Sequence, residues 1–145
     1  ILATGTSSLG DSAYFKVNHY LLAMRRILFW ASVAFLLFLG LSGIQSFLSD
    51  WSLVTTVGQR VCTIGQAVFG CFGLLAGLGA MLRRRWAESA TLAFAVSVGL
   101  TAGLATVVWG DAGLGTGVAS GGLGILLGIL LYLGISDPTR YSDQS

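Results

Sequence analysis

The sequence predicts an all-α integral membrane protein: a four-transmembrane-helix bundle with short loops and an N-terminal interfacial amphipathic segment. Three observations predict it. No Lys, Arg, Asp or Glu occurs in Ile27–Ser49, Val61–Leu82, Ser89–Gly110 or Ala112–Ser136. Each gap has about the 20 apolar residues that a helix needs to cross roughly 30 Å of hydrocarbon. The composition agrees, with 10% charged residues and a mean hydropathy of +0.82, against about 25% charged in soluble domains. The borders of the gaps carry the Trp and Arg residues that favour the headgroup layer.

The first element precedes the first gap. Asp11–Arg26 mixes Tyr14, Phe15, Val17, Leu21, Leu22 and Met24 with Lys16, His19, Arg25 and Arg26. That mixture suits an amphipathic helix on the membrane surface leading into the first span. The Ser/Thr/Gly-rich start, Ile1–Gly10, lacks the order of segments of a signal peptide, so the first span is expected to be a retained helix. That span is rich in bulky Phe and Leu and is expected to face lipid more than the other three.

The second span, 61–82, carries Gln59, Thr63, Gln66, Gly70, Gly73, Gly77 and Ala80 at alternating threes and fours, which is one helix face. Cys62 and Cys71 also lie here, about 13 Å apart along a helix axis and so too distant for a disulfide with each other. The third span, 89–110, contains the GxxxG pair Gly99 and Gly103. In the fourth, 112–136, Gly113, Gly117, Gly121, Gly124 and Gly128 share one face. Helices in lipid gain little from the hydrophobic effect, and small residues let backbones approach closely enough to pack. The stripes therefore mark helix-packing faces within the chain or a partner interface toward another membrane subunit or a second copy, with the fourth helix the best candidate.

Connections follow the same logic. Ser49–Arg60 is the longest loop and is expected to hold an interfacial helical turn. Arg83–Glu88 is a tight turn, as is Gly110–Gly113 around Asp111, and Ser136-Asp137-Pro138 ends the last helix. Glu88 suits the first turn of the third helix, where a carboxylate complements the helix dipole.

The basic residues set an orientation. Lys16, Arg25 and Arg26 precede the first span, Arg83, Arg84 and Arg85 join the second to the third, and Arg140 follows the fourth. Only Arg60 lies on the opposite side, in reach of Asp50 or Asp111. The positive-inside rule then places both termini in the cytoplasm. Trp30, Trp51, Trp86 and Trp109 fall alternately at inner and outer borders, which fits the same map.

The same inventory narrows function. No charged side chain lies deep in a span, although proton and ion pathways usually carry one. Gln59, Thr63 and Gln66 are the one possible polar path, for an oligomeric transporter or channel. His19, the single histidine, leaves haem no ligand pair inside the bundle, and no phosphate-binding, zinc-protease or nucleophile motif is present. No enzyme activity, cofactor or metal is expected. A net charge of +2 gives no reason to expect nucleic acid; the partners expected are the lipid bilayer and other membrane subunits or further copies of the chain. The stretch Phe69–Gly110, a glycine-rich helix ending in an Arg cluster and Trp before another span, resembles small bacterial inner-membrane proteins. That resemblance implies a bacterial inner (cytoplasmic) membrane and no particular activity.

Overall fold

The computed structural model describes the backbone of residues 8–110 and 113–136, and the side chains of those stretches from residue 20 onward. The described residues form four helices: α1 (Ser8–Asp50), α2 (Val57–Met81), α3 (Trp86–Val108) and α4 (Leu114–Ile135). Each contains a stretch long and apolar enough to cross a membrane, and the chain is an integral membrane protein. Asp111, Pro138, Arg140 and the first seven residues lie outside the described residues, as do the side chains of Lys16 and His19.

The charge gaps locate the helices, but all except α4 start earlier than the gaps do. Arg60 and Glu88 lie inside α2 and α3, because a charged residue at a helix end reaches the headgroup layer without breaking the helix. The N-terminal segment differs from expectation. It is not a separate surface helix but continues without a break into the span, giving 43 helical residues, roughly 65 Å at 1.5 Å per residue. No proline, and no glycine after Gly10, interrupts the sequence between residues 11 and 39, so nothing breaks the backbone hydrogen-bond ladder there.

Consecutive helices run antiparallel. Leu37 of α1 lies against Gly77, and Gly43 lies against Gln66 and Phe69. Across α2 and α3, Gly79 meets Trp86 and Ala87 while Gly65 meets Thr101. Across α3 and α4, Gly99 meets Gly121 and Ile125 while Gly103 meets Gly117. The α2–α3 turn therefore shares one end of the bundle with Arg25 and Arg26, and this is the basic end. The α1–α2 loop and the start of α4 occupy the far end.

Two of the connections are built by local chemistry. At the far end Thr56 caps α2: its Oγ1 accepts from the Gln59 N–H at 3.3 Å, and the Gln59 Oε1 accepts from the Thr56 N–H at 3.2 Å. This reciprocal pair is a capping box, which satisfies two backbone donors that a helix start leaves unpaired. At the basic end α2 stops at Leu82. The Arg84 N–H donates to the Gly79 carbonyl at 2.9 Å and the Arg83 N–H to that of Ala80 at 3.1 Å. These bonds form a Schellman turn, whose left-handed position is usually glycine. Here Arg83 occupies it, with φ of 53°.

The core sits in the basic half. Phe29, Val33 and Leu36 of α1, Ala76 and Ala80 of α2, Ala87, Ala90 and Phe94 of α3, and Leu131 and Ile135 of α4 form one buried cluster. Phe94 is fully enclosed and meets the Phe69 ring edge-on, with centroids 6.3 Å apart, a favourable aromatic geometry. Contact between α1 and α4 is slight compared with that between helices adjacent in the chain. It occurs at this end, where Gly134 rests on Ser32 and the Leu28 carbonyl.

Candidate functional site

The glycine stripes identified in the sequence become two backbone seams. In the first, α1 meets α2. A Cβ at Gly70 would stand 2.9 Å from both the Gly40 carbonyl oxygen and the Ile44 nitrogen. One at Gly73 would stand 3.1 Å from the Gly40 Cα and the Leu36 oxygen, and one at Gly77 would be 2.7 Å from the Leu37 side chain. In the second seam, α3 meets α4. A Cβ at Gly121 would lie 2.9 Å from the Gly99 oxygen, and one at Gly103 would lie 3.0 Å from the Gly117 oxygen. Gly124 would meet the Gly99 Cα at 3.0 Å, and Gly128 would run into Ala95.

Four of the five glycines in the stripe from Gly113 to Gly128 thus pack against α3 of the same chain. Gly113 is the exception: it caps the helix in an extended conformation, and a Cβ there meets nothing within 4 Å. The first span also departs from expectation. Of its most apolar stretch 33% is buried, against 22% for α4. Gly40 and Gly43 explain this: two small residues three apart let α1 approach α2, and they matter more than the bulky residues around them.

The three polar residues of α2 have different local partners. Gln59 is committed to the capping box, and its Oε1 also accepts from the Thr55 N–H at 3.2 Å and hydroxyl at 3.3 Å. Thr63 is fully buried and donates to the Gln59 carbonyl at 3.0 Å, a bond within its own helix. Gln66 reaches across to α1, donating from Nε2 to Asp50 Oδ2 at 3.4 Å. Its Oε1 is buried and has no hydrogen-bond partner. Asp50 therefore faces Gln66, while Arg60 is exposed. A contact across 16 residues and a loop is not visible in a helical periodicity.

A second interhelical bond escaped the sequence pattern. The hydroxyls of Thr106 and Ser120 are 2.7 Å apart and join α3 to α4, and Ser120 also donates to the Ala102 carbonyl at 2.9 Å. The only signal available was a pair of small polar residues inside otherwise apolar spans. Glu88 is half-buried in the first turn of α3, whose start has no side-chain capping bond. Cys62 is buried and Cys71 exposed, both as free thiols. Among the described residues no three His, Cys, Asp or Glu side chains come together as metal ligands.

Two apolar grooves open on the flanks in the far half of the bundle. One, of about 500 Å³, lies between α1 and α2 beside Phe47, Ile64, Val68 and Cys71. The other, of about 430 Å³, follows the α3–α4 seam. Its floor is Gly99, Gly103, Gly117 and Gly121, and Leu100, Leu104, Val118 and Ile125 stand along its sides. No protein-family model, curated protein or solved structure matches this chain.

Proposed function

We propose that this chain is a small non-catalytic membrane protein, a structural or accessory subunit of a larger or homo-oligomeric membrane complex. One observation carries the reading: α4 has more small-residue surface than the chain itself uses. Gly115 and Ala119 lie on the face of α4 turned away from the α3 seam, and Gly122 stands at the edge of that face beside the α3–α4 groove. Ala119 is exposed, and a Cβ at Gly115 or Gly122 would meet nothing within 4 Å. A second small-residue face on the same helix is suited to close approach by a helix from another subunit. The hydroxyls of Thr63, Thr91 and Ser97 are bonded to their own helix backbones, which fits packing rather than chemistry.

The membrane proposed is the bacterial inner membrane, with the basic end and both termini in the cytoplasm. Arg25, Arg26 and Arg83–Arg85 at one end support that orientation. The assembly reading is tested by extraction in mild detergent, followed by mass spectrometry of co-purifying chains. Wild type is expected to run as a complex, and Ala119→Leu is expected to dissociate it without unfolding the chain. A monomeric wild type with no companion chain defeats the reading.

A second reading, a small oligomeric transporter or channel, is favoured by the unpartnered Gln66 Oε1 beside the Asp50 carboxylate. Solute flux into vesicles that falls on Gln66→Leu would support it, and flux indifferent to that change would remove it.

A further inference from the structure

We infer that the basic end of the α1–α2 interface is a binding site for the phosphate headgroup of an anionic phospholipid. Arg26 and Trp30 of α1 form one side of it, and Arg83 and Arg84 of the α2–α3 turn form the other. The inference does not rest on the assembly reading; it requires only that the helices cross a bilayer.

Helical register brings these residues together. Arg26, Trp30, Val33 and Leu37 are spaced four, three and four, which puts them on one face of α1. Leu37 on that face lies against Gly77 of α2, so Arg26 and Trp30 are on the α2 side. The two helices run antiparallel, and seven residues from Leu37 and from Gly77 toward the basic end stand Trp30 and Arg84. The chain turns at Leu82, where the Arg84 N–H donates to the Gly79 carbonyl, and this keeps Arg83 and Arg84 close to the level of Trp30. Arg26 stands one turn farther out, about 6 Å at 1.5 Å per residue.

Depth identifies the source of the phosphate. From Asp50 at the far end of α1, twenty residues of helix cover about 30 Å, the thickness of the hydrocarbon core, and arrive at Trp30. Trp30 is 57% exposed, and an indole at that border sits among headgroups. Arg26, Arg83 and Arg84 therefore stand in the layer that holds the lipid phosphates.

Charge then selects the lipid. This end carries Arg25, Arg26, Arg83, Arg84 and Arg85, all exposed, and its one carboxylate among the described residues is the half-buried Glu88. Among the described residues none of the five guanidiniums has an ion-pair partner. A guanidinium presents a planar fork of N–H donors that matches two phosphate oxygens. A zwitterionic headgroup brings a cation of its own into this field, whereas phosphatidylglycerol brings none. Each contacting arginine therefore favours the anionic lipid by about fivefold. Arg83 holds its place here although its left-handed backbone, with φ of 53°, suits glycine.

The test titrates the purified chain in mild detergent with phosphatidylglycerol and, separately, with phosphatidylcholine of the same tails. Native mass spectrometry gives the affinity of the first lipid bound. Wild type is expected to hold phosphatidylglycerol more than about tenfold tighter, since at least two arginines contribute. Arg26→Gln and Arg84→Gln should each lower that affinity about fivefold and leave phosphatidylcholine binding as it was. Both side chains are exposed, and either variant keeps four arginines at the basic end, so fold and orientation are retained. Arg60→Gln, exposed at the far end, is expected to change nothing. Equal affinity of wild type for the two lipids overturns the inference. So does phosphatidylglycerol binding that is indifferent to Arg26→Gln or to Arg84→Gln, and so does an equal loss in Arg60→Gln, which would mean that overall charge alone is read. Displacement of the lipid by inorganic phosphate, beyond that by chloride at the same ionic strength, would show a site for free anions and overturns it too.

Discussion

Alanine at Gly121 and alanine at Gly122 differ by one position on α4, yet should have opposite effects on stability. A Cβ at residue 121 falls 2.9 Å from the Gly99 carbonyl oxygen and 3.6 Å from the Gly103 Cα, whereas one at residue 122 meets nothing. Ordinary contact begins near 3.4 Å, and the obstructing atom is backbone, so α4 must withdraw by about half an ångström. A gap of that size forfeits roughly a quarter of the dispersion well at each contact it opens. At Gly121 no side chain is there to absorb the shift, because the three atoms nearest the added Cβ all belong to the Gly99 and Gly103 backbones. Overpacking of this kind costs about 1–3 kcal/mol. Both substitutions gain the same helix propensity, about 1 kcal/mol in water, so the comparison cancels it. Gly121→Ala is therefore expected to be less stable than Gly122→Ala by about 1–3 kcal/mol, a factor of roughly 5 to 150 in the unfolding equilibrium. Reversible unfolding in mixed micelles of rising dodecyl sulfate fraction measures the difference. Equal stability, or a more stable Gly121→Ala, would refute the seam as described.

Three further outcomes follow from local features. Arg83→Gly should stabilise the chain by about 1 kcal/mol, because a non-glycine residue in the left-handed region costs about that much; a loss of stability in the same micelle assay would contradict it. Thr56→Ala should cost about 1 kcal/mol by removing the capping box, while Thr56→Ser should retain most of it. Cys71 is exposed only toward hydrocarbon at mid-span and Cys62 is buried. Under native detergent conditions a water-soluble maleimide, which needs the thiolate, should therefore modify neither appreciably, with both reacting once the chain is unfolded; rapid native labelling of Cys71 would contradict its place within the span.

The number and placement of the helices were legible because an unbalanced charge in hydrocarbon is costly enough to leave a trace over 20 residues. The α3–α4 seam was nearly legible too: a GxxxG at Gly99 and Gly103 and a stripe from Gly117 to Gly128 are complementary surfaces. What periodicity cannot give is which neighbour a face meets. Gly40 and Gly43 were obscured by the Phe and Leu residues around them, although two glycines suffice to set the approach of α1. The Gln66–Asp50 and Thr106–Ser120 pairs depend on the relative depth of two helices, which loop length alone does not fix. Gln59 shows the converse limit, since its place on the polar face of α2 coincides with its role in a cap.

The slight contact between α1 and α4 bears on how the molecule is made. Every extensive interface joins helices that are adjacent in the chain, so the bundle is a folded strip, and the touch of Gly134 on Ser32 closes it at one end only. Such a topology has low contact order, and loop closure is inexpensive at each step. Each helix can dock on its predecessor as it leaves the insertion machinery, with no need to wait for the last one. By the same argument, cutting the chain within the α2–α3 turn would leave two helical hairpins, each with its own glycine seam intact.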